Sequence, residues 1–375
     1  MGRRAAVVRG CYAGRVSGLL GELGIQVPLV QAPMAGVSTP ALAAAVSNAG
    51  ALGSIAVGAT DVAGARAMIR EVRASTARPF NLNLFCHRRP PRAPTHEAAW
   101  LVALAPTFRS FGAEPPAQLT EVYRTFLGDD AMLAMLLEER PPVVSFHFGV
   151  PPRETTAALR AAGILLLGCA TNRDEARLLE QAGVSAIVAQ GFEAGGHRGV
   201  MDLGLPDDGL GVLALTRLLV AEARVPVIAA GGIMDGAGIA ACQALGAVAA
   251  QLGTAFIACP ESSADAAYRE ALFGPAAAHT VMTRVISGRP ARCLANRFTA
   301  LAQTIDQGGA PDYPLAYAAG KALAAAARAA GETGFAAQWA GQGAPLARAL
   351  PAAALVSVLE EERRTASSGI APVRR

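Results

Sequence analysis

AQGFEAGGHRG, residues Ala189 to Gly199, decides how this chain is read, because AAGGIMD (Ala229–Asp235) and AAQLGTAF (Ala249–Phe256) follow it at the pace of successive barrel strands. Glycine at a strand-to-helix handover lets the backbone approach a ligand closely and aims its N–H groups at phosphate. Gly231-Gly232 and Gly253-Thr254 then fall after the last two strands, the recurrent phosphate cradle of a (β/α)8 barrel. The Thr254 hydroxyl adds a further donor. Glycine also simply ends strands, and one such turn would say little; two in this order favour phosphate. His197, between Gly196 and Arg198, has little apolar packing to join. Its imidazole is expected beside the ligand, where it binds an anion or moves a proton near neutral pH.

Outward from that stretch, short apolar runs alternate with alanine-rich amphipathic segments. The strand candidates are Leu29–Ala32, Ala51–Ala56, Phe80–Leu84, Val143–Phe146, Leu165–Cys169, Ala186–Gln190, Val227–Ala230 and Val248–Leu252. Helical segments such as Asp61–Ser75, Asn172–Ala182, Leu210–Ala223 and Asp235–Leu245 separate them, several opened by a capping residue (Thr39 before Pro40, Asp61, Asn172). The pattern predicts an α/β fold, a (β/α)8 TIM barrel with an attached helical cap. A doubly wound open sheet is the competitor, but its glycine fingerprint follows the first strand.

Three divisions follow: a lead-in over 1–26, the barrel over 27–260, and a helical cap with a C-terminal helix over 261–375. Within the barrel, His87 to Leu127 (HRRPPRAPTHE and onward) reads as a long loop with short helices over one barrel mouth. Beyond Pro260 no further strand signal is seen, and a bare barrel needs only about 250 residues.

The bulk composition excludes several classes of function. Of 375 residues 52% are hydrophobic and 17% charged, much of the former being alanine, and no apolar run approaches the ~20 residues of a spanning helix. A net charge of +4, without basic runs interleaved with aromatics, argues against nucleic acid. The twin arginine of MGRRAAVVRG has no apolar run after it that would make a leader. The six cysteines stand singly, as in a reducing cytoplasm, and neither they nor the five histidines show metal-ligand spacing.

Other candidate residues have two readings each. Gln190 closes the sixth strand and Asn83 the third; each is a solvated strand end, or an amide that meets a flavin or nucleotide ring edge. Alternation in VVSFHFG puts Ser145 and His147 on one face and Val144, Phe146 and Phe148 on the other. His147 is then a core histidine bonded to a backbone carbonyl, or a pocket residue. Tyr313, Tyr317 and Lys321 recur every fourth position and share one face if the segment is helical, although Pro314 disturbs the phasing. That stripe lines an anion pocket or is an ordinary amphipathic surface.

Taken together, the chain resembles the nitronate monooxygenases of the bacterial class I type from about Val27 to Lys321. The resemblance rests on QAPMAGVSTP (Gln31–Pro40), NLNLF (Asn81–Phe85), SFHFG (Ser145–Gly149), GFEAGGHRG, AAGGI, QLGTAF and DYPLAYAAGK (Asp312–Lys321). It implies a TIM barrel holding non-covalent FMN through Asn83, Gln190, Gly195, Gly232, Gln251, Leu252, Gly253 and Thr254, with Met34 against the isoalloxazine. It also implies His197 as the catalytic histidine, with His147, Tyr123, Tyr268, Tyr313, Tyr317 and Lys321 lining the substrate pocket. The implied reaction oxidises an anionic nitronate, expected to be propionate 3-nitronate, with dioxygen to a carbonyl compound and nitrite, without nicotinamide. A monomer or homodimer in the cytoplasm is expected. The competitors are an NAD(P)H-dependent flavin reductase for quinones or enoyl thioesters, and a barrel that binds phosphate without catalysis.

Overall fold

The structure, a computed structural model, describes residues 18–369, so Cys11, the twin arginine and most of the lead-in lie outside the described residues. Eight short strands form one parallel sheet: β1 (Leu29–Gln31), β2 (Gly53–Ala56), β3 (Phe80–Phe85), β4 (Val143–His147), β5 (Leu165–Ala170), β6 (Ala186–Gln190), β8 (Val227–Ala230) and β9 (Ala249–Leu252). A two-residue strand, β7 (Gly196–His197), interrupts the count. The spatial order is β1-β9-β8-β6-β5-β4-β3-β2, and a Val30–Leu52 bridge joins the two ends, closing the sheet as a barrel. The expected TIM barrel is thus present, with its strands at the expected places.

Residue alternation explains why these runs make a closed barrel. In β3, Phe80, Leu82 and Leu84 pack outward among the helices, with Ile55, Val144 and Leu166 in the same apolar layer. The intervening Asn81 and Asn83 face polar groups of adjacent strands: Asn81 Nδ2 donates to Ser54 Oγ (3.1 Å) and Asn83 Nδ2 to Ser145 Oγ (3.0 Å). Gln31 extends this set, accepting from Ser54 N (2.8 Å) and donating to Ser38 Oγ (2.9 Å). Most of these buried amides and hydroxyls pair with one another, Asn81 Oδ1 being left without a partner among the described residues, and the pairs favour one register.

The alanine-rich helices begin where a side chain can accept their free N–H groups. Thr39, Asp61, Asn172 and Asp235 accept from Leu42, Gly64, Glu175 and Gly238 respectively. Each such cap stabilises its helix by about 1 kcal/mol. The C-terminal helix Ala352–Gly369 belongs to this ring: Leu355, Val356 and Leu359 pack with Leu42, Val46 and Ile239.

The structure corrects three sequence expectations. The region beyond Pro260 is not purely helical, since β10 (Thr280–Thr283) and β11 (Ala291–Leu294) form an antiparallel pair that β7 extends. Four-residue strands such as TVMT and ARCL offer too little alternation to register as strands in sequence. The 87–127 insertion contains a 17-residue helix, Pro94–Ser110, rather than short helices. Tyr313 precedes the helix Leu315–Ala329 instead of sharing it with Tyr317 and Lys321. Proline disfavours helical backbone at the residue before it, so Pro314 keeps Tyr313 outside.

Candidate active site

The C-terminal strand ends surround a cleft of about 1320 Å³, its open mouth included. One wall is main chain. Gly231 and Gly232 follow β8 with φ of 125° and 67°, a left-handed backbone that glycine adopts without steric cost. The N–H groups of Gly195, Gly231, Gly232 and Gly253 find no acceptor among the described residues. All four glycines line the cleft. Thr254 Oγ accepts from Gly341 N (3.0 Å), which leaves its own proton free to donate. Unpaired amide donors gathered on a concave surface suit an anionic, phosphate-like group.

The other wall is aromatic and imidazole. His197 Nε2 lies 2.9 Å from Ser287 Oγ, and its ring is packed among Tyr313, Trp339, Phe148 and Tyr317 at centroid distances of 5.2, 5.0, 5.8 and 5.9 Å. Ser287 Oγ also lies 3.2 Å from the Arg289 carbonyl, so a chain of contacts runs from the imidazole to the Arg289 main chain. His147 Nε2 donates to the His197 carbonyl (3.3 Å). His147 thus satisfies both sequence readings, bonded to a backbone carbonyl and lining the cleft.

Gln190 also serves internally. Its amide donates to the His197 carbonyl (3.0 Å) and accepts from Gly199 N (2.7 Å), so strand β6 holds the histidine loop in place. Gln251, by contrast, makes no side-chain hydrogen bond among the described residues and keeps its amide free in the cleft.

Among the described residues no charged side chain lines the cleft. Burial drives His197 well below the usual imidazole range, and nearby Arg289 and His147 push the same way. Burial, then Arg289, lowers His147 to about 4. Both rings are therefore neutral at pH 7. Burial raises the phenols of Tyr268, Tyr313 and Tyr317, so they remain protonated donors. Tyr268 donates to the Trp339 carbonyl, whereas the buried Tyr313 hydroxyl has no partner in the protein. An unmade bond at a buried hydroxyl costs about 1–3 kcal/mol, which a ligand oxygen would recover.

The cleft brings together Met34, Asn83, Gln190, Gly195, Gly232, Gln251, Gly253 and Thr254 with His147, His197, Tyr123, Tyr268, Tyr313 and Tyr317. Two expected members stand apart. Leu252 points outward into the layer shared with Leu29 and Phe256, as alternation after Gln251 requires. Lys321 is exposed and sits with Nζ 4.4 Å over the Tyr123 ring and 5.5 Å over the Tyr317 ring, outside the lining. Sequence reasoning missed Trp339, Phe148, Ser287 and Arg289. The run ISGRP (Ile286–Pro290) was the one available signal for the last two, a polar turn inside an apolar stretch.

With this geometry in hand, comparison with known proteins is decisive. The sequence model of the nitronate monooxygenase family matches residues 17–362. The chain belongs to that family. Two relatives carry the name nitronate monooxygenase: one from Paraburkholderia phytofirmans is 61% identical, over 92% of this chain and 94% of that protein. One from Pseudomonas aeruginosa is 60% identical, over 91% and 97%. Among solved structures, a nitroalkane oxidase from Streptomyces ansochromogenes superposes with a TM-score of 0.87 at 44% identity, covering 95% of this chain and all (100%) of that one. FabK from Thermotoga maritima shows the same barrel at a TM-score of 0.71 and 28% identity, over 94% and 97%. This member of the nitronate monooxygenase family is accordingly an oxidoreductase on a TIM barrel. Among the described residues no helix is long and apolar enough to cross a membrane, and no cluster of three or more His, Cys, Asp or Glu could hold a metal.

Proposed function

We propose that the protein oxidises alkyl nitronates, propionate 3-nitronate among them, with dioxygen to a carbonyl compound and nitrite, using bound FMN. The observation that carries this is one cleft that joins a wall of unpaired backbone N–H groups to a neutral imidazole and protonated phenols. The first wall fits a phosphate tail. The second offers donors to the negative oxygens of a nitronate without requiring a charged group in the lining.

The residues take separate parts in this reading. Gly195, Gly232, Gly253 and Thr254 hold the phosphate end, Gln251 and Asn83 meet the ring edge, and Met34 packs against the ring. Gln190 acts one step removed, by fixing the His197 loop. His197 faces the substrate as a neutral imidazole, and Tyr313 donates its unpartnered hydroxyl to a nitro oxygen. His147, Tyr123, Tyr268 and Tyr317 shape the pocket and exclude water, while Lys321 braces two of the phenols from outside. FMN, when bound, supplies the redox chemistry that links nitronate and dioxygen.

The test is an absorbance spectrum of the purified protein, followed by nitrite and oxygen measurements with propionate 3-nitronate and, separately, NADH oxidation with a quinone. A yellow protein that consumes oxygen and releases nitrite is the expected result. Steady NADH consumption without nitrite would replace this reading with a flavin reductase, and a colourless protein that takes up no FMN would replace it with a non-catalytic phosphate binder.

A further inference from the structure

Behind the aromatic wall lies a buried cation that the reaction as described does not use. Arg289 is only 3% exposed, and its Cζ lies 4.2 Å over the ring of Phe148, which lines the cleft. Its Nη1 donates to the carbonyls of Val200 (2.6 Å) and Arg198 (3.4 Å), and its Nε has no acceptor. No carboxylate pairs with it among the described residues, in contrast to its cationic neighbours. Arg198 is closed by Asp207 through two contacts of 2.8 Å, and Arg284 pairs with Asp312 at 3.2 Å.

The nearest buried carboxylate is one peptide removed. Arg289 binds the carbonyl of Val200, and the N–H of the same peptide unit, from Met201, donates to Glu175 (2.7 Å). Glu175 is also held by the Thr171 N–H and hydroxyl, and it does not reach the cleft lining. The two charges therefore form a dipole whose positive end is the one nearer the cleft.

We propose that Arg289 is the specificity-determining residue that makes the pocket select anions, its buried guanidinium acting through Phe148 as a fixed positive charge on whatever rests against His197. It favours a carboxylated, doubly charged nitronate over a simple alkyl nitronate, and both over a neutral nitroalkane. The inference rests on the reading of the cleft as a nitronate pocket.

Arg292 is also buried without a carboxylate partner among the described residues, held by the Phe192 carbonyl and Thr280. Among the buried arginines, however, it is Arg289 that stacks on a ring lining the cleft, since Arg198 and Arg292 stack on Phe192, outside the lining. The titratable and charged groups that interact with Arg289 are His87, His147, His197, Tyr313, Arg284, Asp312 and Glu175, with the Arg198 carbonyl on its Nη1. The three imidazoles are neutral, Arg198 and Arg284 are paired, and Lys321 is exposed outside the lining. A unit charge one ring's thickness from the ligand, in a poorly screened interior, changes affinity roughly tenfold for each substrate charge.

The experiment compares wild type, Arg289→Gln and Arg289→Lys as flavin-loaded proteins. Kinetics are measured with propionate 3-nitronate, ethyl nitronate and neutral nitroethane, and nitrite binding is followed by titrating the flavin absorbance. In Arg289→Gln, the kcat/KM ratio of the dianion to neutral nitroethane should fall about a hundredfold, tenfold for each of its two charges and mostly through KM, with about a tenfold rise in the Kd for the singly charged nitrite. Arg289→Lys should retain most of both. Equal losses on charged and neutral substrates, an unchanged Kd for nitrite, or a Lys variant as impaired as the Gln variant would overturn the proposal in favour of a packing role. Should wild type release no nitrite from any nitronate, the functional reading fails separately, and the nitrite titration still decides the role of Arg289.

Discussion

The two walls of the cleft are made from different parts of the polymer. The glycine wall is main chain, set by the loop between β6 and β7 (Gly195) and the turns after β8 and β9, and each of these is continuous in sequence. The aromatic wall is side chain, drawn from the 87–127 insertion (Tyr123), β4 and its end (His147, Phe148), the β7 loop (His197) and the chain beyond Pro260 (Tyr268, Tyr313, Tyr317, Trp339). Under the proposed function, the two walls divide the labour: backbone grips the cofactor's phosphate tail and side chains discriminate among substrates. Backbone N–H groups cannot be altered by substitution, whereas side chains can.

The strongest test of that division is His197→Asn, which strikes only the side-chain wall. It should lower kcat/KM on nitronates by about 10²–10⁴ while flavin per chain stays at the wild-type level. A colourless variant would show that the two walls are not separable. Gly253→Val strikes the other wall. A Cβ at this position meets Ala32 Cβ (3.4 Å) and Met34 Sδ (3.7 Å) at ordinary contact distances, so the backbone has room for a side chain that projects toward the cleft. Blocking two charge-assisted donors at about 1.5 kcal/mol each should weaken flavin binding about a hundredfold, read from flavin retained after gel filtration. Full retention would remove the backbone wall from cofactor binding.

A third test uses acid. His87 is buried beside Tyr313, neither ring nitrogen has a partner, and burial followed by the charges of Arg289 and Arg89 lowers it to about 4. Its folded pKa lies below the unfolded value near 6.5, so between these the unfolded chain binds more protons. The stabilisation is therefore complete above pH 6.5 and is lost as pH falls toward 4, at up to about 1.4 kcal/mol per pH unit. His87→Phe should flatten that part of a Tm-against-pH curve; an unaltered slope would mean His87 is not buried as a neutral ring. The smallest effect is expected at Lys321. Lys321→Met removes exposed cation–π contacts to Tyr123 and Tyr317 and should cost under about 1 kcal/mol of stability, with flavin content unaltered. A larger loss of substrate affinity would return Lys321 to the binding wall.

Much of this architecture was legible in sequence. Capping residues Thr39, Asp61, Asn172 and Asp235 sit where the helices begin, and eight apolar runs of strand length match the eight barrel strands. The turn at Gly232 could be read because a positive φ restricts the residue there, and the turn at Gly253 from its place directly after the last strand. Illegible were β10 and β11, too short for period-two alternation, and the separation of Tyr313 from its helix. Arg289 was hidden for another reason. Arginine is ordinarily a surface residue, and only its packing under Phe148 gives it meaning.

By itself, then, the order of residues determined the barrel, its glycine turns and the family resemblance, because periodicity, caps and turn chemistry act over a few neighbouring positions. Only the tertiary structure decided which side chains share a wall, that Gln190 serves the His197 loop, that Lys321 stands outside, and that a guanidinium without a carboxylate lies behind Phe148. Those facts depend on segments far apart in the chain meeting in a desolvated interior, where burial and unpaired charge set the chemistry.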